Sequence, residues 1–248
     1  MVSDPPHGQV DEDTVSRVLG LDPDTTALKV AFPAPEVLAA SGPQRAHDIG
    51  DELTDAGLHI RVIPGHDLAE IPWPRLARSP SFGSDGLVAR VGDDRVEIPY
   101  SAQVWCVSCR PPEDFSAEAS VSLSEAEGGP GPRVAEALEW TPHLDLYYGS
   151  GGTQRRVTLV DDVPHALEEV ERLFHRVGVD RRLEGIRPRQ RFVAGDHGFD
   201  IDLRKAFSFG TLLLRQILQS ISEELRDIPQ YEFASRLSFA TRPGSGAP

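Results

Sequence analysis

Val96-Glu-Ile-Pro-Tyr-Ser-Ala-Gln-Val-Trp-Cys-Val-Ser-Cys-Arg110 decides how this chain is read, because it is the most strand-like run and holds both cysteines. Pro99 and Ser101 bend the chain into a strand over Gln103 to Cys109, in which Val104, Cys106 and Ser108 share one face and Trp105, Val107 and Cys109 the other. Side chains three apart on a strand point to opposite sides, which opposes a disulfide or a shared metal between Cys106 and Cys109. Free cysteine is also among the most buried residue types, so the core-strand reading is preferred to a redox one.

The chain has 248 residues, enough for one large domain or a few small modules with real cores. Two cysteines make no disulfide framework, and Met1-Val-Ser-Asp-Pro-Pro-His7 has neither the basic nor the apolar region of an export signal. No run approaches the ~20 apolar residues of a membrane span, so a cytoplasmic protein is expected. A net charge of -14 argues against nucleic acid or an anionic membrane as a general partner, since both demand positive potential.

Outward from the central strand the period is two. Leu87 to Val91 and Arg95 to Ile98 read as a hairpin closed at Gly92-Asp93, and His143 to Tyr148 with Arg155 to Val160 as a second one. Ala166 to Val177 reads as an amphipathic helix with Pro164 near its first turn. Upstream, Thr26 to Phe32 as a strand, Pro43 to Ala56 as a helix and Leu58 to Ile63 as a strand make a small βαβ unit with parallel strands. Downstream, Arg191 to Leu203 reads as a third hairpin, Thr211 to Arg226 as the best helix, and Tyr231 to Phe239 as a final strand.

The expected class is α+β. Residues 1–24 form a disordered acidic tail, with a short helix at Glu12 to Leu19, and 25–70 the βαβ unit. Residues 71–80 form a proline-rich linker, 81–178 a β module with a mobile insertion at 110–133, 179–241 a C-terminal hairpin-helix-strand unit, and 242–248 a tail.

Three polar features are candidates for chemistry. Cys106 and Cys109 are the candidate redox pair, but Arg110-Pro-Pro follows them where a helix start would be needed to activate a thiol. Gly195-Asp-His-Gly-Phe-Asp-Ile-Asp202 gathers a histidine and three carboxylates, which periodicity divides between a turn and a solvent face. Seven arginines lie between Arg172 and Arg191 against Asp180 and Glu184. There Arg181, Arg182, Arg187 and Arg189 are the candidate contacts for an anion or an acidic partner, with pairing to the protein's own acids as the plainer reading. Gly149-Ser-Gly-Gly152 needs no more than a hairpin turn. No metal set, cofactor motif or catalytic constellation is expected.

Trp105-Cys-Val-Ser-Cys109 resembles the Trp-Cys-x-x-Cys of thioredoxin-like oxidoreductases over five residues. The turn, strand, Val-x-Ile-Pro-Tyr-Ser and second strand from Gly86 to Cys109, with Leu144 to Val160 and the helix from Ala166, resemble bacterial pleckstrin-homology-like modules. Residues 26–64 likewise resemble small ferredoxin-like modules of prokaryotic signal transducers. These last two resemblances imply an antiparallel barrel or sheet with a capping helix beside a ferredoxin-like unit. They also imply a binding or signalling scaffold with a protein partner. The expected function is therefore a non-enzymatic regulatory or adaptor protein. Its alternatives are a thiol-disulfide redox protein and a phosphate-ligand or nucleic-acid binder acting through the arginine segment.

Overall fold

A computed structural model describes residues 2–4, 9–30, 36–38, 42–111, 123, 131–149, 154–184 and 228–242. The chain divides into two compact units, Met1–Ala69 with Val193–Asp227, and Glu70–Phe192 with Ile228–Pro248. Both helices and sheets are present, so the class is α+β.

In the first unit residues 2–4 and 9–24 of the segment expected to be a disordered tail are built into the fold. Its strand β1 (Val2–Asp4) lies between β2 (Glu36–Val37) and β3 (His59–Arg61), antiparallel to both. Helix α1 (Glu12–Leu19) has the bounds that the sequence offered for a short helix. Asp11 caps it, accepting from the Thr14 N–H at 3.1 Å, and Gly20 closes it at φ 64°. The acidic average of this segment concealed a helical stripe: Val15 is fully buried with Val18 and Leu19 against Leu53 and Leu58.

Of the strand expected over Thr26 to Phe32, Thr26 to Val30 belong instead to helix α2 (Pro23–Val30), and residues 31 and 32 lie outside the described residues. Asp22 accepts from the Thr25 N–H at 2.9 Å and from the Thr25 hydroxyl at 2.6 Å, and Pro23 opens the first turn, a start signal that outweighs the β-branched residues behind it. Helix α3 (Pro43–Asp55) follows the expected course, and a short α4 (Gly65–Ala69) comes after β3. The strand before α3 is therefore β2; β2 and β3 run parallel to one another, with β1 between them.

The second unit is a seven-stranded mixed sheet. Its strands are β4 (Leu76–Phe82), β5 (Gly86–Val91), β6 (Asp94–Pro99), β7 (Gln103–Arg110), β8 (His143–Tyr148), β9 (Arg155–Leu159) and β10 (Arg176–Glu184), in the order β10-β7-β8-β9-β4-β5-β6. β10 is parallel to β7 and β4 is parallel to β9, so an open mixed sheet stands where an antiparallel barrel or sheet was expected. Both expected hairpins are present as β5–β6 and β8–β9.

Among the described residues three helices cover the sheet on two faces. Helix α6 (Val163–Leu173) packs Val163, Ala166, Leu167 and Val170 on Ala77, Leu87, Val104, Cys106, Leu144, Leu146 and Leu159. On the other face α5 (Gly131–Leu138) and α7 (Gln230–Ala240) meet Leu76 and Cys109 through Val134, Leu138 and Tyr231.

Four expectations fail here for identifiable reasons. The linker 71–80 runs into β4, which keeps Pro80 at a register shift between Arg78 and Ser81; Ser79 turns to φ 50° and donates its N–H to Asp161 at 2.9 Å. The boundary expected between 178 and 179 falls inside β10, because the helix ends at Leu173 and its expected last turn already belongs to the sheet. The final strand expected at Tyr231 to Phe239 is α7: its alternating aromatic residues are buried, but so are Glu232, Arg236 and Ser238 between them, and Glu232 pairs with Arg236 one helical turn on. Gly131 to Arg133, expected within the mobile insertion, begins α5; residues 112–122 and 124–130 of that insertion lie outside the described residues, as do the third hairpin and the helix Thr211 to Arg226.

Gly178 shows how tightly β10 is laid on β7. It pairs with Trp105, and a Cβ there would lie 2.2 Å from two atoms of the indole ring. Gly178→Ala is expected to displace the indole and cost about 1–3 kcal/mol. The check is a urea titration followed by tryptophan fluorescence, which reports this unit because Trp73, Trp105 and Trp140 all belong to it.

Candidate functional site

The densest cluster of chemically capable side chains lies under α7. Alternation in His143-Leu-Asp-Leu-Tyr147 sends Leu144 and Leu146 into the core beneath α6 and turns Asp145 and Tyr147 to the opposite face. On the neighbouring β9, Tyr147 pairs with Arg156 and Asp145 with Thr158, so all four side chains stand on that face. Helix α7 then brings Tyr231, Glu232, Ser235 and Arg236 against them.

Both oxygens of Asp145 are engaged. Oδ1 accepts from the Thr158 hydroxyl at 2.5 Å, while Oδ2 accepts from Arg156 Nη2 at 2.6 Å, from Ser235 Oγ at 2.7 Å and from the Tyr231 hydroxyl. Arg156 Nη1 reaches Glu232 Oε1 at 2.7 Å, and the same oxygen accepts from Arg236 Nε at 2.6 Å. The Arg236 guanidinium lies 4.4 Å above the Trp73 ring, and Tyr147 stacks on Phe239 with centroids 4.4 Å apart. The side chains of Asp145, Arg156, Glu232 and Arg236 are all 0 % exposed.

Further hydrogen bonds tie β10 into the unit, one chain of them on the α7 face and one bond on the opposite face. Trp105 Nε1 donates to Ser238 Oγ at 3.1 Å, and Ser238 donates to Asp180 at 2.5 Å, which ties β7 and β10 to the helix. Ser108 donates to Glu184 at 2.7 Å.

The electrostatics follow from this packing. Burial alone would raise the Asp145 carboxyl, but the Arg156 charge beside it and the hydrogen bonds it accepts hold it down at about 2. Burial pushes the Tyr231 hydroxyl well up, with the Asp145 charge adding to the effect. Burial lowers His143, which keeps a neutral ring: its Nδ1 donates to the Thr141 carbonyl at 2.5 Å and its edge meets Tyr231. With a neutral histidine, the two carboxylates and two guanidinium groups cancel.

No protein family model, curated protein or solved structure matches this chain.

The residues singled out in the sequence are placed elsewhere. Cys106 is buried under α6, while Cys109 is buried on the other face with Val134 and Tyr231; both are free thiols, pushed well up by burial. They do not face one another, and neither meets the exposed, electropositive setting that a reactive thiolate needs. Arg181 pairs with Glu171 and Arg172 with Glu169, so these two arginines are matched by acids of α6. The side chain of Arg182, the residues Arg187 and Arg189, and the Gly195 to Asp202 cluster lie outside the described residues. Among the described residues no group of His, Cys, Asp and Glu is arranged to hold a metal, and no helix is long and apolar enough to cross a membrane.

Sequence reasoning did not single out Asp145, Arg156, Glu232 or Arg236. A signal was present in the polar residues alternating with Leu144, Leu146, Val157 and Leu159, which a strand with one wet face would also show.

Asp145→Asn and Arg156→Met each leave the buried cluster with one uncompensated charge and are expected to cost about 3–5 kcal/mol. Because Asp145 is held below its ordinary 3.8, its contribution is complete above 3.8 and is lost as pH falls through about 2. His143 acts at higher pH: the unfolded chain takes up a proton near 6.5 while the buried ring resists it, so stability declines as pH falls below 6.5. Urea midpoints across pH should show both slopes in the wild type. The upper slope should shrink in His143→Gln and the lower one in Asp145→Asn.

Proposed function

We propose that this is a non-enzymatic regulatory, adaptor or scaffold protein that acts in the cytoplasm through contacts with other proteins. One observation carries the reading: the carboxylate best equipped for acid-base work, Asp145, is 0 % exposed and has both oxygens engaged. Its position under α7 makes the cluster a fastening between helix and sheet. The resemblance to pleckstrin-homology-like and ferredoxin-like modules supports the same class of function, recognition without turnover.

The alternatives draw less support. Thiol exchange needs Cys106 or Cys109 at a surface, and both are buried. Anion binding by the arginine segment competes with the internal pairs made by Arg172 and Arg181.

A tagged full-length chain recovered from its native host after crosslinking is expected to carry one protein in fixed stoichiometry, and the two purified proteins should reassociate by calorimetry. Turnover of any substrate by the purified chain, abolished by a single exposed substitution, overturns the adaptor reading. The redox alternative is tested separately. A thiol reagent should label Cys106 and Cys109 only after denaturation, and Cys106→Ser should leave insulin reduction at the background rate; fast labelling of the native protein would revive it.

A further inference from the structure

The β5–β6 hairpin forms one end of the large sheet, and β6 is its edge strand among the described residues. Its register is continuous from Gly86 opposite Pro99 to Val91 opposite Asp94, closed by Gly92-Asp93 with Gly92 at φ 59°. A two-residue loop of this kind makes Val91 and Asp94 a hydrogen-bonded pair, and the Tyr100 N–H bonding to the Asp85 carbonyl keeps the same phase beyond Pro99. Asp94, Val96 and Ile98 therefore direct their backbone groups towards β5. Arg95 and Glu97 direct theirs outward, and Pro99 has no N–H to offer.

The side chains add a second constraint. Ile98 is buried and Val96 packs beside it on the core under α6, whereas Arg95 and Glu97 are exposed on the other face. Arg95 sits directly opposite Arg90 across the hairpin, a like-charge pair that costs stability where no acid offsets it. Neither arginine has an ion-pair partner among the described residues, and neither has Glu97. Native edges are blunted by charged side chains, proline, bulges, short length or a covering element, and on β6 Pro99 closes one end while charged side chains line the rest. This edge carries opposite signs two residues apart on an unbulged strand.

We propose that β6 pairs antiparallel with β6 of a second copy of this chain, about a two-fold axis through Val96. In that register Arg95 of each copy lies opposite Glu97 of the other. Each such pair exchanges both backbone hydrogen bonds between the outward-facing groups, and Val96 meets its own counterpart at the axis. The partner's carboxylate also offsets the repulsion between Arg90 and Arg95.

Other registers are disfavoured. Centring the axis on Arg95 or on Glu97 sets like charges face to face, and the second choice also presents Pro99 where an N–H is needed. A slip of one residue points the outward backbone groups of one strand at the inward groups of the other. The interface is self-recognition and stands independently of the adaptor reading, which concerns a different protein.

Sedimentation velocity of the full chain at low salt tests it. The wild type should form a concentration-dependent dimer. Arg95→Glu and Glu97→Arg, each placing like charges across the axis, should each weaken the dimer by about tenfold or more while the monomer still unfolds in one cooperative urea transition. Mixing the two variants should restore dimers, because acid then meets base in both pairs, and the double variant Arg95→Glu/Glu97→Arg should dimerise on its own. A wild type that stays monomeric, a dimer indifferent to both single variants, or a mixture that fails to reassociate would each overturn the proposal.

Discussion

The contact between Asp145 and Arg156 governs the second unit. Neither ion is tolerable alone in a dry interior, since the effective cost of taking each out of water is several kcal/mol. Their Coulomb attraction recovers that cost only if the remaining hydrogen-bonding positions are filled as well, and Asp145 fills its own from Thr158, Ser235 and Tyr231. Two of those three donors belong to α7. The helix is thus required by the sheet: with α7 absent or rotated, Asp145 loses the Ser235 and Tyr231 bonds and Arg156 loses Glu232. The net stabilisation from such a network is small, because hydrophobic residues of equal volume would serve about as well. The network's larger effect is on placement, since an apolar seam accepts a helix in several rotations and this seam accepts one.

The same residue types act differently where water reaches them. Arg75 pairs with Asp94 at 3.2 Å with half or more of each side chain exposed, and Arg172 pairs with Glu169 on the outside of α6. Exposed pairs of this kind contribute about 0–1 kcal/mol, against several for breaking one buried partner. At the β9 end of the sheet, charges are dry and fix internal geometry. At the β6 end they are wet, add little to stability, and are left to discriminate between registers of an external strand. One alternating pattern along the strands produces both results, according to whether a helix lies over the polar face.

That difference also explains what the sequence could reveal. The hairpin at Gly92-Asp93, the strand through both cysteines and the helix α3 were legible because their signals are local: turn chemistry, a period of two, a proline at a first turn. The opposed faces of Cys106 and Cys109 followed from the same period. The failures share a different cause. Asp22 ahead of Pro23 is a local helix start that apolar β-branched residues masked, and the stripe of Val15, Val18 and Leu19 was diluted by acids on the outer face of α1. The alternation from Tyr231 to Phe239 misled because α7 is buried nearly all round, so aromatic and polar residues alike point inward and no periodicity distinguishes helix from strand. The cluster around Asp145 was hidden for a related reason. Polar residues on every second position of a strand announce solvent unless something distant in the chain covers them, and what covers Asp145 lies 86 residues on, at Tyr231.

Strongly shifted ionisations usually mark working sites, because catalysis needs a group held near its operating pH. Here the shifts run the other way. Asp145 is held at about 2, so at neutral pH it is a permanent anion with no tendency to take a proton, and Tyr231 beside it is pushed up so far that it remains a permanent donor. A general base is most effective when its pKa lies near the operating pH, so that it can both take up and release a proton. A carboxylate fixed by Arg156, Thr158, Ser235 and Tyr231 at once has been removed from that range by the contacts that permit its burial. The contacts that permit burial are therefore also what set the direction of these shifts.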